Sequence, residues 1–231
     1  NGIDPEWGAD TELDIHFATM TEYDEEYDFP VAFHPKHLKN VLGEVVSDEG
    51  LTQFRIAETE KYAHVTYFLN GGRERQFEGE ERVIIPSPGV ATYDEVPEMS
   101  AREVTERALE AVGKHDLLVL NYANPDMVGH TGDYDAVVEA CEVVDKCTGK
   151  LVDALLEEGV EVIVTADHGN AEDMGTPEDP HTAHTFNDVP FIYVNENGEL
   201  DERGELRDIA PTLLRFLGVE IPEEMTGDPL V

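Results

Sequence analysis

The stretch Val162-Ile-Val-Thr-Ala-Asp-His-Gly-Asn-Ala-Glu172 decides the fold of this chain. Its first half is apolar and β-branched, which is typical of a buried strand. The strand pattern breaks where Asp167 and His168 place a carboxylate and an imidazole side by side. In open α/β sheets, ligands collect at the carboxyl ends of the strands, so a strand that ends on two metal-type ligands indicates an active site. The same residues also suit a solvated turn, and the rest of the chain decides between the two.

Further helices are predicted on both sides of this stretch. Apolar residues at helical spacing indicate helices over residues 38–46 and 133–158. The sequence Ser100-Ala-Arg-Glu103 has the pattern of a capping box and predicts the start of another helix. A last helix is predicted to begin at Asp208, whose carboxylate suits a helix cap.

Short apolar runs between these helices are typical of β-strands. The runs lie at residues 51–56, 82–85, 115–121, 160–165 and 190–194. The run at 115–121 is apolar on both faces, which predicts a central, parallel strand. Strands that alternate with helices indicate an α/β fold, in which a mostly parallel sheet with right-handed crossovers is flanked by helices.

The charge balance disfavours some classes of function. The 231-residue chain carries 52 acidic and 15 basic residues, a formal net charge of −37, so it has few of the cations that nucleic-acid phosphates require. The acidic residues are spread through apolar patterns rather than gathered in one tail, which favours a globular protein with an acidic surface. We therefore predict a cytoplasmic protein of a high-salt cell, where salt screens the self-repulsion.

Two further observations agree with a cytoplasmic protein. No run approaches the roughly 18 apolar residues of a membrane span, and the start of the chain lacks the pattern of a signal peptide. Cys141 and Cys147 are the only cysteines. Their separation along one helix, roughly 9 Å, is too long for a disulfide. Free thiols are typical of a reducing cytoplasm.

A change of pattern near residue 35 predicts a domain boundary. Pro30 and Pro35 bracket residues 31–34, which suit an extended connector. We expect residues 1–35 to form the tail of one domain together with a hinge. Residues 36–231 are then expected to belong to a larger second domain.

Three loops that follow or separate the predicted strands carry candidate ligands. Asp126 and His130 follow one strand and are spaced i, i+4, which places a carboxylate and an imidazole on one side of a helical turn. Asp167 and His168 follow the next strand, and His184 lies in the loop before the last one. A single Asp or His in a loop is usually solvated, but here each cluster adjoins a predicted strand. The pattern therefore favours a metal site.

The chemistry of these side chains indicates the kind of metal. Carboxylate and imidazole without thiolate suit Mn²⁺ or Zn²⁺ better than Cu⁺ or an iron–sulfur cluster. The set is large enough for two ions, and two ions about 3.5–4 Å apart can clamp the attacking and leaving oxygens of a phosphoryl transfer. The sequence therefore predicts a two-metal site for phosphoryl chemistry.

Longer motifs give the chain a resemblance to a known family, the cofactor-independent (2,3-bisphosphoglycerate-independent) phosphoglycerate mutases. The motifs include Thr165-Ala-Asp-His-Gly-Asn-Ala-Glu172, Asn124-Pro-Asp-Met-Val-Gly-His-Thr-Gly132, Ala57-Glu-Thr-Glu-Lys-Tyr-Ala-His-Val-Thr66 and His181-Thr-Ala-His-Thr185. The chain resembles the C-terminal half of these enzymes, which are members of the alkaline phosphatase superfamily. The resemblance implies an alkaline phosphatase-like three-layer domain that is incomplete at its N-terminal side. Residues 1–35 would then be the tail of the substrate domain plus the hinge.

The resemblance also implies a role for each candidate ligand. Asp126, His130 and His184 match the ligands of a first Mn²⁺. Asp167 and His168 match ligands of a second. Zn²⁺ and Co²⁺ are the alternative ions.

Lys61 matches the family's lysine that contacts the substrate phosphate near the metals. A fixed ammonium there would stabilise charge on the transferring phosphoryl group. Without the resemblance, Lys61 would also suit an exposed lysine at a helix start. Glu60 is expected to orient Lys61, and His64 is expected to pack beside the site. His181 is not at a matching ligand position.

The implied reaction interconverts 3-phosphoglycerate and 2-phosphoglycerate in glycolysis. In the family, the metals activate a serine that takes the phosphate from one hydroxyl and returns it to its neighbour, through a phosphoserine intermediate. That serine, with an aspartate of the second metal site, precedes the part of the family that this chain matches. Ser47, Ser87 and Ser100 are the only serines here and lie in other contexts. We expect the isolated chain to be inactive and the full-length form to be a monomer.

Two other functions stay open at this point. A metallohydrolase of the same superfamily would share the two-metal half of the site, although the Glu-Thr-Glu-Lys-Tyr run argues against it. A non-catalytic acidic fragment that binds cations or a partner is the second alternative.

Overall fold

The computed structural model describes residues 16–22, 27, 29–34, 38–176, 178–195, 200 and 203–231. The chain divides into two compact units, residues 1–37 and residues 38–231. In the first unit, strand β1 (Thr19–Thr21) pairs in parallel with strand β2 (Val31–Phe33). The connector expected at 31–34 is therefore largely a short strand.

The larger unit is built on a parallel sheet. Its strands are β3 (Gln53–Glu58), β4 (Glu80–Ile85) and β5 (Leu117–Asn121), arranged in the order β4-β3-β5. All six residues of β3 are buried, and β3 is the central strand of these three. The parallel direction predicted for 115–121 is confirmed, but the central position was wrong. Helices pack against both faces of β5, which explains its apolar residues. In this three-stranded sheet, a strand pairs with only one edge of β5.

Helices on both sides of the sheet give the larger unit three layers. They are α1 (Leu42–Asp48), α2 (Tyr62–Val65), α3 (Ala101–Ala111), α4 (Asn124–Gly129), α5 (Tyr134–Glu157) and α6 (Ile209–Phe216). Phe54 and Ile56 pack with α3 and α5 on one face, and Leu117 packs with α1 and α6 on the other. The predicted α/β fold with a mostly parallel sheet is confirmed.

The stretch around residues 162–172 contributes a shorter strand than predicted. Strand β6 (Ile163–Thr165) pairs antiparallel with β9 (Phe191–Tyr193), and β7 (Gly175–Thr176) pairs antiparallel with β8 (Asp179–Pro180). Beyond β6, Gly169 and Thr185 form an isolated antiparallel bridge. This bridge brings the loop after β6 against the loop before β9.

Helices α3 and α6 begin where they were predicted, at Ala101 and Ile209, but without the predicted side-chain caps. The hydroxyl of Ser100 donates to the carbonyl of Pro86 at 2.8 Å and does not cap α3, because the neighbouring loop offers it a partner. Helix α1 begins at Leu42 rather than at 38, since Asn40 adopts a left-handed φ of 54° that no α-helix contains. The carboxylate of Asp208 accepts from the amides of other loop residues rather than capping α6.

Helix α5 begins close to where it was predicted. Asp133 is its cap and accepts a hydrogen bond from the amide of Ala136 at 2.9 Å. Its buried face includes Cys147, whereas Cys141, expected on that face, is exposed. The buried stripe is therefore rotated by about one residue from the predicted one. No helix in the described part of the chain combines the length and the apolar composition of a membrane span.

The last residue of β3 is a carboxylate with almost no exposure. Glu58 is 1% exposed, and its Oε2 accepts a hydrogen bond from Ser87 Oγ at 2.9 Å. Its Oε1 has no hydrogen-bond partner within the described residues. Burial raises the pKa of Glu58, and hydrogen bonds from Ser87 and Ser100 offset only part of that effect. The folded chain therefore favours the protonated carboxyl more than the unfolded chain does.

Replacing Glu58 by glutamine should stabilise the fold at neutral pH and change little in acid. A carboxyl whose pKa is higher in the folded chain costs stability once the pH rises above the unfolded pKa of about 4.3, whereas below it both states keep the proton. A gain of roughly 1 kcal/mol would raise the melting temperature by about 2–4 °C in a domain of this size. Melting curves of Glu58→Gln at about pH 4 and about pH 8 test this sign. The exposed Glu49→Gln serves as control, and equal shifts at both pH values would contradict the expectation.

Candidate metal centre

Helix α4 carries two candidate ligands one turn apart. It follows β5 closely, with a proline in its first turn, Asp126 next to that proline and His130 at its C-terminal end. The i, i+4 spacing brings His130 Nε2 to 3.1 Å from Asp126 Oδ1. Both side chains therefore point to one place at the carboxyl end of the sheet.

The loop before β9 adds a third candidate ligand. His184 Nε2 lies 3.2 Å from Asp126 Oδ1 and 3.2 Å from His130 Nε2. Each of the three residues offers a ligand atom, and these atoms all lie within 4.8 Å of one another. The structure thus brings together the three residues that the family resemblance assigned to one ion.

A hydrogen bond behind His130 orients its ring. His130 Nδ1 lies 2.7 Å from the carbonyl oxygen of Thr182. A carbonyl only accepts, so Nδ1 is the donor in this contact, and the contact turns Nε2 toward Asp126 and His184. Two imidazoles and the carboxylate of Asp126 form a donor set that fits a divalent ion such as Mn²⁺ or Zn²⁺.

Lys61 forms an ion pair with the same carboxylate, from Nζ to Asp126 Oδ2. Lys61 ends a short 3-10 turn after β3 and is only 6% exposed, so it is not a solvated helix-start lysine. Burial raises the pKa of Asp126, but hydrogen bonds from Lys61 and Asn170, together with the Lys61 charge, hold it below its usual value. Asp126 therefore stays ionised.

Asp167 and His168 lie beside this cluster. The ring of His168 stacks on that of His184, with centroids 3.7 Å apart and 18° between the planes. His168 Nε2 is 3.8 Å from Asp167 Oδ1, and the Asp167 side chain is half-exposed. The structure therefore places His168 against His184 and leaves the neighbouring Asp167 half-exposed. Their assignment to a second ion stays a prediction.

Two residues near the ligands make other contacts. Glu60 was expected to orient Lys61, but its carboxylate accepts a hydrogen bond from the hydroxyl of Tyr93 at 2.8 Å. His181 Nδ1 lies 3.0 Å from the carbonyl oxygen of Asp173. Glu60 is thus engaged by a different loop, and His181 is held by the hairpin that precedes the ligand loop.

His64 lies near the charges of Lys61, Asp126 and Asp167. Its ring packs edge-on against that of Phe68, with centroids 5.2 Å apart. Burial lowers the pKa of His64 and the Lys61 charge lowers it further, while Asp167 and Asp126 act in the opposite direction. The ring is therefore favoured in its neutral form, which suits a packing role.

Two residues that hold the site together were not singled out from the sequence. Asn170 Nδ2 donates to Asp126 Oδ1 at 2.8 Å, and Glu172 accepts hydrogen bonds from Thr185 and Asn187. Both lie in the motif that follows β6. Their position in that motif was the only available signal, because the partners come from segments far away in the chain.

Comparison with known proteins identifies the class. A family model described as Metalloenzyme superfamily matches residues 15–221, and the chain belongs to this superfamily. It is 56% identical to the 2,3-bisphosphoglycerate-independent phosphoglycerate mutase of Haloarcula marismortui, over 99% of this chain and 46% of the relative. Identity to the protein of the same name from Natronomonas pharaonis is also 56%, over 99% of this chain and 47% of the relative. The chain thus spans about half the length of these relatives.

A solved structure is similar as well. It is the phosphoglycerate mutase of Leishmania mexicana, described at low cobalt concentration. The TM-score is 0.81 at 32% sequence identity, over 93% of this chain and 44% of the other. The resemblance predicted from the motifs is confirmed.

Proposed function

We propose that this chain is the metal-binding half of a cofactor-independent phosphoglycerate mutase, an isomerase that interconverts 3-phosphoglycerate and 2-phosphoglycerate in glycolysis. The observation that carries the proposal is the convergence of Asp126, His130 and His184, with Lys61 buried against the carboxylate of Asp126. The names of relatives that are 56% identical over almost the whole chain support it.

Two Mn²⁺ ions are the proposed cofactors, with Zn²⁺ or Co²⁺ as alternatives. Asp126, His130 and His184 would hold the first ion, and Asp167 and His168 would contribute to the second. When bound, such ions supply Lewis-acid stabilisation of the charge on phosphoryl oxygens. The hydrogen bond from His130 Nδ1 to the Thr182 carbonyl supports this assignment, since it directs Nε2 toward the other two candidate ligands.

Lys61 is the proposed residue for contact with the substrate phosphate. Its ammonium is almost excluded from solvent and lies directly beside the candidate ligands. A buried, fixed positive charge stabilises a transferring phosphoryl group more than a solvated one does, because no water must reorganise around it. Lys61 would therefore act on the charge that develops during the transfer.

The phosphate acceptor is proposed to be a serine outside this chain. The hydroxyls of Ser87 and Ser100 donate to Glu58 and to the carbonyl of Pro86, and Ser47 lies within α1. The hydroxyls of Ser87 and Ser100 are thus engaged by groups other than the candidate ligands, and Ser47 belongs to a helix. We therefore propose that the isolated chain is inactive, and that the phosphoserine forms only in a longer protein.

A high-salt cytoplasm is the proposed setting, with a monomeric full-length protein. The support is the net charge of −37 spread along the whole chain. Such a surface repels itself at low ionic strength and is screened within a few ångströms at about 1 M salt.

A coupled assay with enolase tests the proposed reaction. The protein expressed from its complete gene, supplied with 3-phosphoglycerate and Mn²⁺, should form 2-phosphoglycerate at roughly 1–1,000 turnovers per second, which enolase then converts. Chelation of the metal should abolish the signal and Mn²⁺ should restore it. Phosphate release without 2-phosphoglycerate would identify a metallohydrolase instead, and silence in both assays would favour a non-catalytic cation-binding protein.

A further inference from the structure

The turn formed by residues 169–172 touches every segment that carries a grouped ligand. Its backbone continues from His168. The side chain of Asn170 reaches α4, where Nδ2 donates to Asp126 Oδ1 at 2.8 Å and to the Asp126 carbonyl oxygen at 3.2 Å. The bonded Oδ1 is also the oxygen that faces His130 and His184. Asn170 therefore fixes the rotation of the one carboxylate that the grouped histidines share.

Glu172 ties the same turn to the loop that carries His184. Its Oε1 accepts hydrogen bonds from the hydroxyl of Thr185 and from Asn187 Nδ2, the latter at 3.0 Å. Its Oε2 accepts from the amide of Asn170 at 2.7 Å. One carboxylate thus joins the residue after His184 to the residue that holds Asp126.

The backbone reinforces this arrangement. The amide of Thr185 donates to the carbonyl of Gly169 at 2.9 Å. A Cβ at Gly169 would overlap the Thr185 hydroxyl and the Glu172 carboxylate, and a Cβ at Gly129 would overlap the side-chain amide of Asn170. Both glycines therefore allow an approach that any side chain would prevent.

We propose that Glu172 and Asn170 are positioning residues that hold the three ligand-bearing segments in one geometry. The inference rests on the proposed metal centre. Glu172 is exposed, so its hydrogen bonds, and not hydrophobic packing, are its contribution to the site. The hydrogen bond from Thr185 is the main reason why the pKa of Glu172 is lowered to about 2, which agrees with a carboxylate engaged by several donors.

Metal titration of variants tests the proposal without relying on activity. The protein from its complete gene is stripped with a chelator and titrated with Co²⁺, whose visible absorption reports ligand geometry, and with Mn²⁺ by calorimetry. Glu172→Gln keeps the size of the side chain but loses an acceptor, and should weaken binding by roughly 10–100-fold, as losses of residues that orient ligands do. Thr185→Val removes the partner hydroxyl and should cause a similar loss. The exposed Glu106→Gln should bind as the wild type does.

The double variant Glu172→Gln with Thr185→Val decides whether the two act together. Because both changes disrupt the one network in which Glu172 joins Thr185 to Asn170, their effects should be less than additive. Wild-type Co²⁺ affinity and absorption in Glu172→Gln would overturn the proposal, as would a loss that Glu106→Gln shares. If Glu172→Gln does not fold, Thr185→Val alone decides, with the same two outcomes. A wild-type protein that binds neither ion would instead reject the proposed metal centre itself.

Discussion

Replacing Asp126 by asparagine is expected to remove metal binding and mutase activity together. Both grouped histidines face Asp126 Oδ1 at 3.1 and 3.2 Å, and the carboxylate is the only anion among the three grouped donors. An asparagine of equal size cannot supply that charge. Metal affinity should fall by more than the roughly 10–100-fold typical of residues that only orient ligands. Turnover should fall by at least about 1,000-fold, the upper range for loss of one charge-stabilising group.

The stability of the metal-free variant supplies an internal check. The side chains of Lys61 and Asp126 are 7% and 14% exposed, and removal of one partner of a buried pair costs about 3–5 kcal/mol. Asp126→Asn should therefore lower the melting temperature, while Lys61→Met in the same protein should restore much of it. Metal binding should stay lost in the double variant. The exposed Asp145→Asn is the matched control, and tight Mn²⁺ binding by Asp126→Asn would refute the assignment.

Replacing Lys61 by methionine is expected to reduce turnover by roughly 100–1,000-fold while the protein still binds Mn²⁺. Methionine fills a similar volume and removes only the charge. Because the Lys61 ammonium pairs with Asp126, its loss also removes a competitor for that carboxylate, so metal affinity should hold or increase. The measurement is the coupled assay over a range of substrate concentrations, together with a Mn²⁺ titration.

Turnover and metal affinity, measured together, distinguish a catalytic role of Lys61 from a structural one. A fall in kcat with intact metal affinity places Lys61 at the phosphoryl group. A parallel loss of metal affinity and activity would contradict that role and assign Lys61 to the structure of the cluster. Lys150→Met, on the exposed side of α5, is the control for removal of a positive charge. Lys61→Arg should recover activity poorly, because a planar guanidinium does not replace a compact ammonium in a closed site.

The fold was predictable from the sequence to the extent that it depends on periodicity. The long helix α5 and the strands of the parallel sheet follow from apolar spacing, as does the alternation of strands with helices. The choice of central strand does not. Every residue of β3 is buried, including Arg55, whose guanidinium donates to Gln53 and to the carbonyl of Val65 at 2.8 Å. In the sequence, a polar residue that is buried and hydrogen-bonded in a sheet cannot be distinguished from one that faces solvent.

The candidate site was predictable where residue type alone carries the chemistry. The positions after strands gave Asp126 and His168 because such loops meet at one edge of a sheet. Ser100 was misjudged since its hydroxyl had two possible partners, a helix amide and a distant carbonyl, and only the folded chain selects one. Asn170 and Glu172 were missed for the same reason. Their partners are set by tertiary contacts that no local pattern encodes.

The separation of the grouped ligands along the chain has a consequence for stability. His130 and His184 lie 54 residues apart in sequence, and the intervening segment contains α5 and β6. An ion held by both would close that segment into a loop and so reduce the number of conformations open to the unfolded chain. The entropy lost in closing a loop grows with its length, so clips across long segments are, in theory, the most stabilising. A metal here would thus act as a removable cross-link, and the same atoms would serve both catalysis and the persistence of the fold.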